Sequence, residues 1–144
     1  MFRISVSLFG IVGLSLFLMG CVYLSLDEFM SYHAEALQIE WDDLQPNYRG
    51  LILGFLKGLG SGAFVVGFLI LLMVAMSIIR DPRPFLVLLP STAISYSVLL
   101  CYATYTVFTT TPGNPPLLLT VVLVVTSILA SIGFVLSQRN DANE

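Results

Sequence analysis

The chain has 144 residues, of which 57% are hydrophobic and 10% are charged, and its mean hydropathy is +0.93. A soluble domain has about 25% charged residues, so this composition excludes an ordinary water-soluble domain and predicts a single integral membrane domain, residues 1–144. The net charge is −3 and the basic residues are scattered, which leaves nucleic acid without an electrostatic binding surface.

The first apolar run, residues 4–26, is long enough to span a hydrocarbon core, which takes about 20 residues. The alternative is a cleaved signal, because LMGC resembles a lipoprotein cleavage box with Cys21 as the lipidated residue. Arg3 is the single basic residue before the run, and the run exceeds the about 7–15 residues of a signal core. We therefore predict an uncleaved first span. Three glycines near one face would allow close packing: Gly10, Gly13 and Gly20.

Residues 27–49 form the only sizeable polar segment, with six acids against Arg49. Apolar residues at helical spacing predict a short amphipathic helix over residues 27–37. Aromatic rings favour the headgroup level of a membrane, and four gather around this segment: Tyr23, Tyr32, Trp41 and Tyr48.

The second span, residues 50–79, carries Gly50, Gly54, Gly58 and Gly62, each four residues after the last. Successive members lie about 40° apart around a helix and form one strip without side chains. Glycine costs about 1 kcal/mol against alanine inside a helix, and close helix approach in membranes is its usual reason. We predict a glycine zipper that packs either within the chain or between chains.

The third and fourth spans are residues 85–108 and 116–137, separated by the uncharged turn TTTPGNPP. A small-residue face on the third span is a natural partner for the glycine strip. Its members are Ala93, Ser97, Cys101 and Thr104.

The basic residues predict the orientation. Arginines at positions 3, 80, 83 and 139 fall at one set of span ends, and Arg49 with Lys57 falls at the other. The positive-inside rule then places both termini in the cytoplasm and the acidic segment on the outer side of the membrane, which is periplasmic if the cell is Gram-negative.

Arg49 and Lys57 beneath the carboxylates are the first candidate site. They could hold an anionic headgroup or substrate in a mouth between helices. In the alternative, Lys57 extends to the interface and pairs with Glu28, Glu35 or Asp43.

His33, the only histidine, lies close in sequence to Glu28 and Glu35. A zinc site normally has more nitrogen or sulfur ligands, and residues two apart do not share a helix face. We therefore predict no metal and no cofactor. An interfacial histidine is favoured, with pH sensing as an alternative. No span contains a histidine, which excludes a bis-histidine haem.

The hydroxyls of Ser95, Tyr102, Tyr105 and Thr106 could line a cavity for a lipid or quinone, or could hydrogen-bond between helices. The two cysteines lack a C-x-x-C spacing and fit small buried hydrophobes. No span carries a carboxylate, which argues against a proton-coupled exporter. No catalytic set is present in the sequence.

The segments YHAEAL, EWDDL, RGLILGFLKGLGSG and TPGNPP resemble small four-span bacterial inner-membrane proteins of a family of unknown function. The resemblance implies a bacterial inner-membrane protein and supplies no catalytic residues.

The sequence thus predicts an all-α membrane protein, a four-transmembrane-helix bundle with a short outward-facing amphipathic helix between helices 1 and 2. We expect a non-enzymatic accessory, interaction or lipid-binding protein. Its partners would be membrane lipids and either a second copy or another membrane protein. The alternative is a small carrier or lipid-modifying enzyme with an outward-facing site near Lys57.

Overall fold

The computed structural model describes residues 1–80, 82 and 84–141, without the side chains of residues 138–141. Over these residues the chain is helical and contains no strand. The α-helices are α1 (Phe2–Ser25), α2 (Ser31–Leu37), α3 (Pro46–Ile79), α4 (Phe85–Thr110) and α5 (Leu117–Asp141), and a 3-10 turn lies at Trp41–Asp43.

Four helices are long and apolar enough to cross a membrane: α1, α3, α4 and the Leu117–Ser137 part of α5. The prediction of four long apolar helices is confirmed. Two residues of the predicted basic turn, Asp81 and Arg83, lie outside the described residues, as does the side chain of Arg139.

The short helix α2 begins four residues later than predicted. Met30 is extended, with φ −74° and ψ 159°, and its N–H donates to Nδ1 of His33 at 3.2 Å. This side-chain bond closes the first turn of the helix at Ser31, so residues 27–30 remain outside it. The helix ends at Gln38, whose left-handed φ of 54° turns the chain toward Trp41.

Helices α1 and α3 form the closest helix pair, and they run antiparallel. A Cβ atom at Gly67 would stand 2.7 Å from the carbonyl oxygen of Gly13, and one at Gly60 would stand 2.7 Å from Cβ of Tyr23. Gly20 lies directly against the backbone of Phe64. Only glycine permits this approach, because carbon contacts are unstrained at about 3.5–4.0 Å.

The predicted glycine strip lies on a different face of α3. A Cβ atom at Gly50, Gly54 or Gly58 would have nothing within 4 Å, and one at Gly62 would meet only Tyr96, with its hydroxyl oxygen at 3.4 Å. Gly60 stands two positions beyond Gly58, which is about 200° around the helix. This corrects the within-chain form of the predicted zipper, while packing of the strip between chains stays a prediction.

The main core is shared by the four long helices α1, α3, α4 and α5. Phe9 and Phe134 are fully buried and meet edge to face at 5.9 Å. The hydroxyls of Ser97 and Ser127 bond at 3.1 Å between α4 and α5. Part of the small-residue face of α4 therefore packs on α5 rather than on the glycine strip. Large apolar residues such as Phe55, 71% exposed, cover the outside of the helices, as a lipid environment requires.

Candidate functional site

Helix α2 covers the end of the molecule at which α1 and α4 end and α3 and α5 begin, which we call the capped end. On one flank, the buried Phe29 beside α2 packs edge-on against Trp41, with ring centroids 5.0 Å apart. On the other flank, a Cβ atom at Gly113 would stand 2.6 Å from the carbonyl oxygen of Tyr32 and 2.7 Å from Cβ of Ala36. The turn between α4 and α5 therefore lies directly against α2, at a distance that only glycine allows.

A cavity of about 130 Å³ lies between α2 and the four long helices. Pockets for drug-sized ligands measure about 300–1,000 Å³, so this one accommodates a small chemical group rather than a whole lipid. Its apolar walls include Met19, Leu59, Leu100 and Leu119. Its polar lining is formed by Tyr23, Tyr32, His33, Thr104 and Thr120.

The two tyrosines are joined through their hydroxyl groups, one from the end of α1 and one from α2. Burial raises the pKa of Tyr32 above its ordinary value of 10.0, and the hydrogen bond with Tyr23 adds to this shift. The phenol of Tyr32 therefore stays neutral at physiological pH. Its ring also lies 4.0 Å from the His33 ring, centroid to centroid.

The imidazole of His33 is neutral for a related reason. Desolvation lowers the pKa of His33 below 6.5, against a smaller opposite effect from the Met30 backbone. Nδ1 accepts the Met30 N–H, which leaves the ring proton on Nε2. Among the described residues, no group accepts a hydrogen bond from Nε2.

Thr104 and Thr120 supply hydrogen-bond acceptors to the cavity. Thr104 donates its hydroxyl proton to the carbonyl oxygen of Leu100, and Thr120 donates to that of Leu117, each at 2.9 Å. The oxygen lone pairs of both side chains remain available. No charged side chain is among the residues that line the cavity, so its chemistry is that of neutral donors and acceptors beside apolar walls.

Arg49 has a local role in the loop before α3. Its Nε donates to the carbonyl oxygen of Leu44 at 2.9 Å, and Nη2 donates to that of Asp42 at 2.6 Å. Its guanidinium lies 5.7 Å from the centroid of the Trp41 ring. The ion pair with the carboxylate of Asp42, 3.9 Å long and on a 96% exposed partner, contributes about 0–1 kcal/mol at most.

Lys57 is half-buried on α3, and no described carboxylate lies within 4.0 Å of it. The predicted pairing with Glu28, Glu35 or Asp43 is therefore not formed. Glu28 is exposed, and Glu35 lines an open groove of about 650 Å³ on the outer side of α2. The structure therefore does not bring Arg49, Lys57 and these acids together in one binding site.

Tyr102 is 69% exposed on α4 and lines a separate apolar groove of about 340 Å³ with Tyr105 and residues of α5. Of the six predicted binding residues, only His33 lines the cavity at the capped end. The sequence indicates Tyr23 and Tyr32 as interfacial rings, but it does not show that their hydroxyl groups meet. The signal that was available is the glycine of TPGNPP, which permits this turn to reach α2.

No protein-family model matches the sequence, and neither a curated protein nor a solved structure matches it. A functional proposal for this chain therefore rests on the cavity at the capped end and on the chemistry of the residues around it.

Proposed function

We propose that this protein is a non-enzymatic integral membrane protein that binds a lipid at its capped end, with part of the lipid in the cavity below α2. The observation that carries the proposal is a small cavity with apolar walls and a neutral hydrogen-bonding lining, at the ends of four apolar helices. Leu59 and Leu119 line this cavity and are also 39% and 55% exposed. The cavity thus adjoins the apolar outer surface of the helices, where lipid chains would lie.

The proposal includes a topology. The four long helices form one transmembrane bundle in a bacterial inner membrane, with both termini in the cytoplasm and α2 facing outward. The distribution of basic residues supports this orientation, since Arg3 and Arg80 lie at the uncapped end of α1 and α3 and Arg49 lies at the capped end.

Native mass spectrometry with retained lipids tests the function. The variant Thr104→Phe would place a ring in the cavity, whereas Thr106→Phe makes the same change on the exposed side of α4. The two threonines are well matched, because each donates at 2.9 Å to the carbonyl oxygen four residues earlier. We expect unaltered protein and Thr106→Phe to retain lipid and Thr104→Phe to lose it. A lipid-free unaltered protein, or a folded Thr104→Phe variant with full retention, would contradict the proposal.

The alternative of a carrier or lipid-modifying enzyme at Lys57 required an enclosed polar site around that residue. Lys57 does not line the cavity at the capped end and has no described carboxylate within 4.0 Å. No observation favours this alternative over lipid binding.

A further inference from the structure

We infer that the cavity at the capped end selects an uncharged lipid through a carbonyl group, which accepts hydrogen bonds from the Tyr23–Tyr32 pair and from Nε2 of His33. This inference rests on the proposed lipid-binding function and names the class of lipid.

The hydrogen-bond donors of the cavity favour a carbonyl as the ligand group. Each phenol carries one hydrogen, and the bond between Tyr23 and Tyr32 uses only one of the two. The second hydroxyl hydrogen has no described acceptor, and neither has the Nε2 hydrogen of His33. Tyr23, Tyr32 and His33 line the same small cavity, and the Tyr32 and His33 rings lie 4.0 Å apart, centroid to centroid, so one acceptor group in the cavity would adjoin all three side chains.

The absence of charge among the lining residues excludes a phosphate headgroup from this cavity. A buried ion without a partner is very costly, and none of the described residues that line this site is a lysine, an arginine or a carboxylate. Lys57 and Arg49, the bases of the capped end, are not among the lining residues. The group that enters must therefore be neutral.

The size of the cavity defines how much of the lipid it takes. A volume of about 130 Å³ accommodates a carbonyl and the atoms next to it, while the chains lie along the outer surface near Leu59 and Leu119. Two neutral membrane lipids offer this chemistry, a glyceride through its ester carbonyl and a quinone through its ring carbonyl.

The full-length chain in nanodiscs provides the test. Four probes are compared: a diacylglycerol, its dialkyl ether analogue without carbonyls, a long-chain benzoquinone and phosphatidylglycerol. We expect at least one carbonyl probe to bind about tenfold more tightly than the ether, the effect of one or two hydrogen bonds. Tyr32→Phe should remove most of that difference and leave the ether affinity unchanged. Tyr48→Phe, on a 56% exposed tyrosine of α3, is the matched control and should change nothing.

The outcomes distinguish the inference about the carbonyl from the proposed lipid-binding function. Preference for the ester or for the quinone supports the inference and identifies the source of the carbonyl. If neither carbonyl probe binds more tightly than the ether, or if phosphatidylglycerol binds most tightly, the inference is overturned even where Thr104→Phe still blocks lipid. Failure of every probe to bind overturns the proposed function itself. The comparison of both carbonyl probes with the ether uses unaltered protein, so it remains decisive if Tyr32→Phe does not fold, and Tyr23→Phe then serves as the second variant.

Discussion

Replacing Gly67 by alanine should destabilise the protein, even though alanine is the better helix former. A Cβ atom at this position would stand 2.7 Å from the carbonyl oxygen of Gly13 and would also meet the backbone nitrogen of Phe17. These are backbone atoms of α1 and cannot rotate away. Helices α1 and α3 must therefore separate by about 1 Å to restore an ordinary contact.

The magnitude follows from two opposing effects. Overpacking of a well-packed contact costs about 1–3 kcal/mol, and the higher helix propensity of alanine contributes about 1 kcal/mol in the other direction. Gly58→Ala makes the same substitution on the same helix, where the new Cβ would have nothing within 4 Å. The propensity effect cancels between the two variants, so Gly58→Ala should exceed Gly67→Ala in stability by about 1–3 kcal/mol.

Reversible unfolding of purified protein in mixed micelles, followed by helicity across an SDS titration, measures this difference. Unaltered protein should be about 1 kcal/mol less stable than Gly58→Ala and should lie between the two variants. If Gly67→Ala is as stable as Gly58→Ala, the close approach of α1 and α3 does not limit stability and the structural reasoning is refuted.

Three further predictions concern other features of the fold. Ser97→Ala should cost about 0.6 kcal/mol in the same titration by removing the hydroxyl bond to Ser127, and adding Ser127→Ala should cost little more; a fully additive double variant would contradict this. The pKa of His33 is lowered from 6.5 by burial, so the unfolded segment takes up a proton first as the pH falls. The stability of α2 should therefore be complete above about pH 6.5 and decrease below it, because a proton on Nδ1 would also break the bond from Met30; hydrogen exchange of the α2 amides measures this, and exchange that is equally pH-dependent in His33→Gln would refute it. If the open glycine strip packs between chains, Gly58→Leu should reduce the oligomer size measured by light scattering without unfolding the subunit, whereas an unchanged size would leave the strip without that role.

The four long helices could be predicted from sequence because hydropathy alone identifies them. An apolar run of the required length, such as residues 85–108, needs no tertiary information to become a helix in lipid. The predicted limits differ from the observed helix Phe85–Thr110 by only two residues at one end. The start of α2 depended on one side-chain bond, between His33 and Met30, and hydrophobic periodicity carries no signal for such a bond.

The packing face of α3 could not be chosen from its own sequence. The helix carries glycines on two faces, and the more regular series, represented by Gly54 and Gly58, is the one that faces away from the rest of the chain. The face that packs carries Gly60 and Gly67, seven residues apart. The partner helix carries Gly13 and Gly20 at the same separation, a period of two 3.5-residue turns that suits two helices in long contact. Only comparison of the two helices reveals the match.

The cavity was beyond sequence reasoning for a different reason. It is formed where side chains from α1, α2, α3, α4 and α5 meet, and nothing in the separation of Tyr23 from Tyr32 predicts that their hydroxyls face each other. The charged residues predicted a site at Lys57, whereas the described residues that line the partly open cavity are neutral. In hydrocarbon a neutral hydrogen-bonding set is the less costly solution.

The glycine at position 113 has a consequence for how a ligand reaches the cavity. The α4–α5 turn lies directly against Tyr32 and Ala36 of α2. A molecule that enters from water through this contact would therefore have to displace α2 and the turn together. If the protein binds lipid as proposed, a lipid that approaches in the plane of the bilayer meets the exposed Leu59 and Leu119, which line the cavity and take no part in the Gly113 contact. We therefore expect the proposed ligand to enter from the membrane rather than from the aqueous phase.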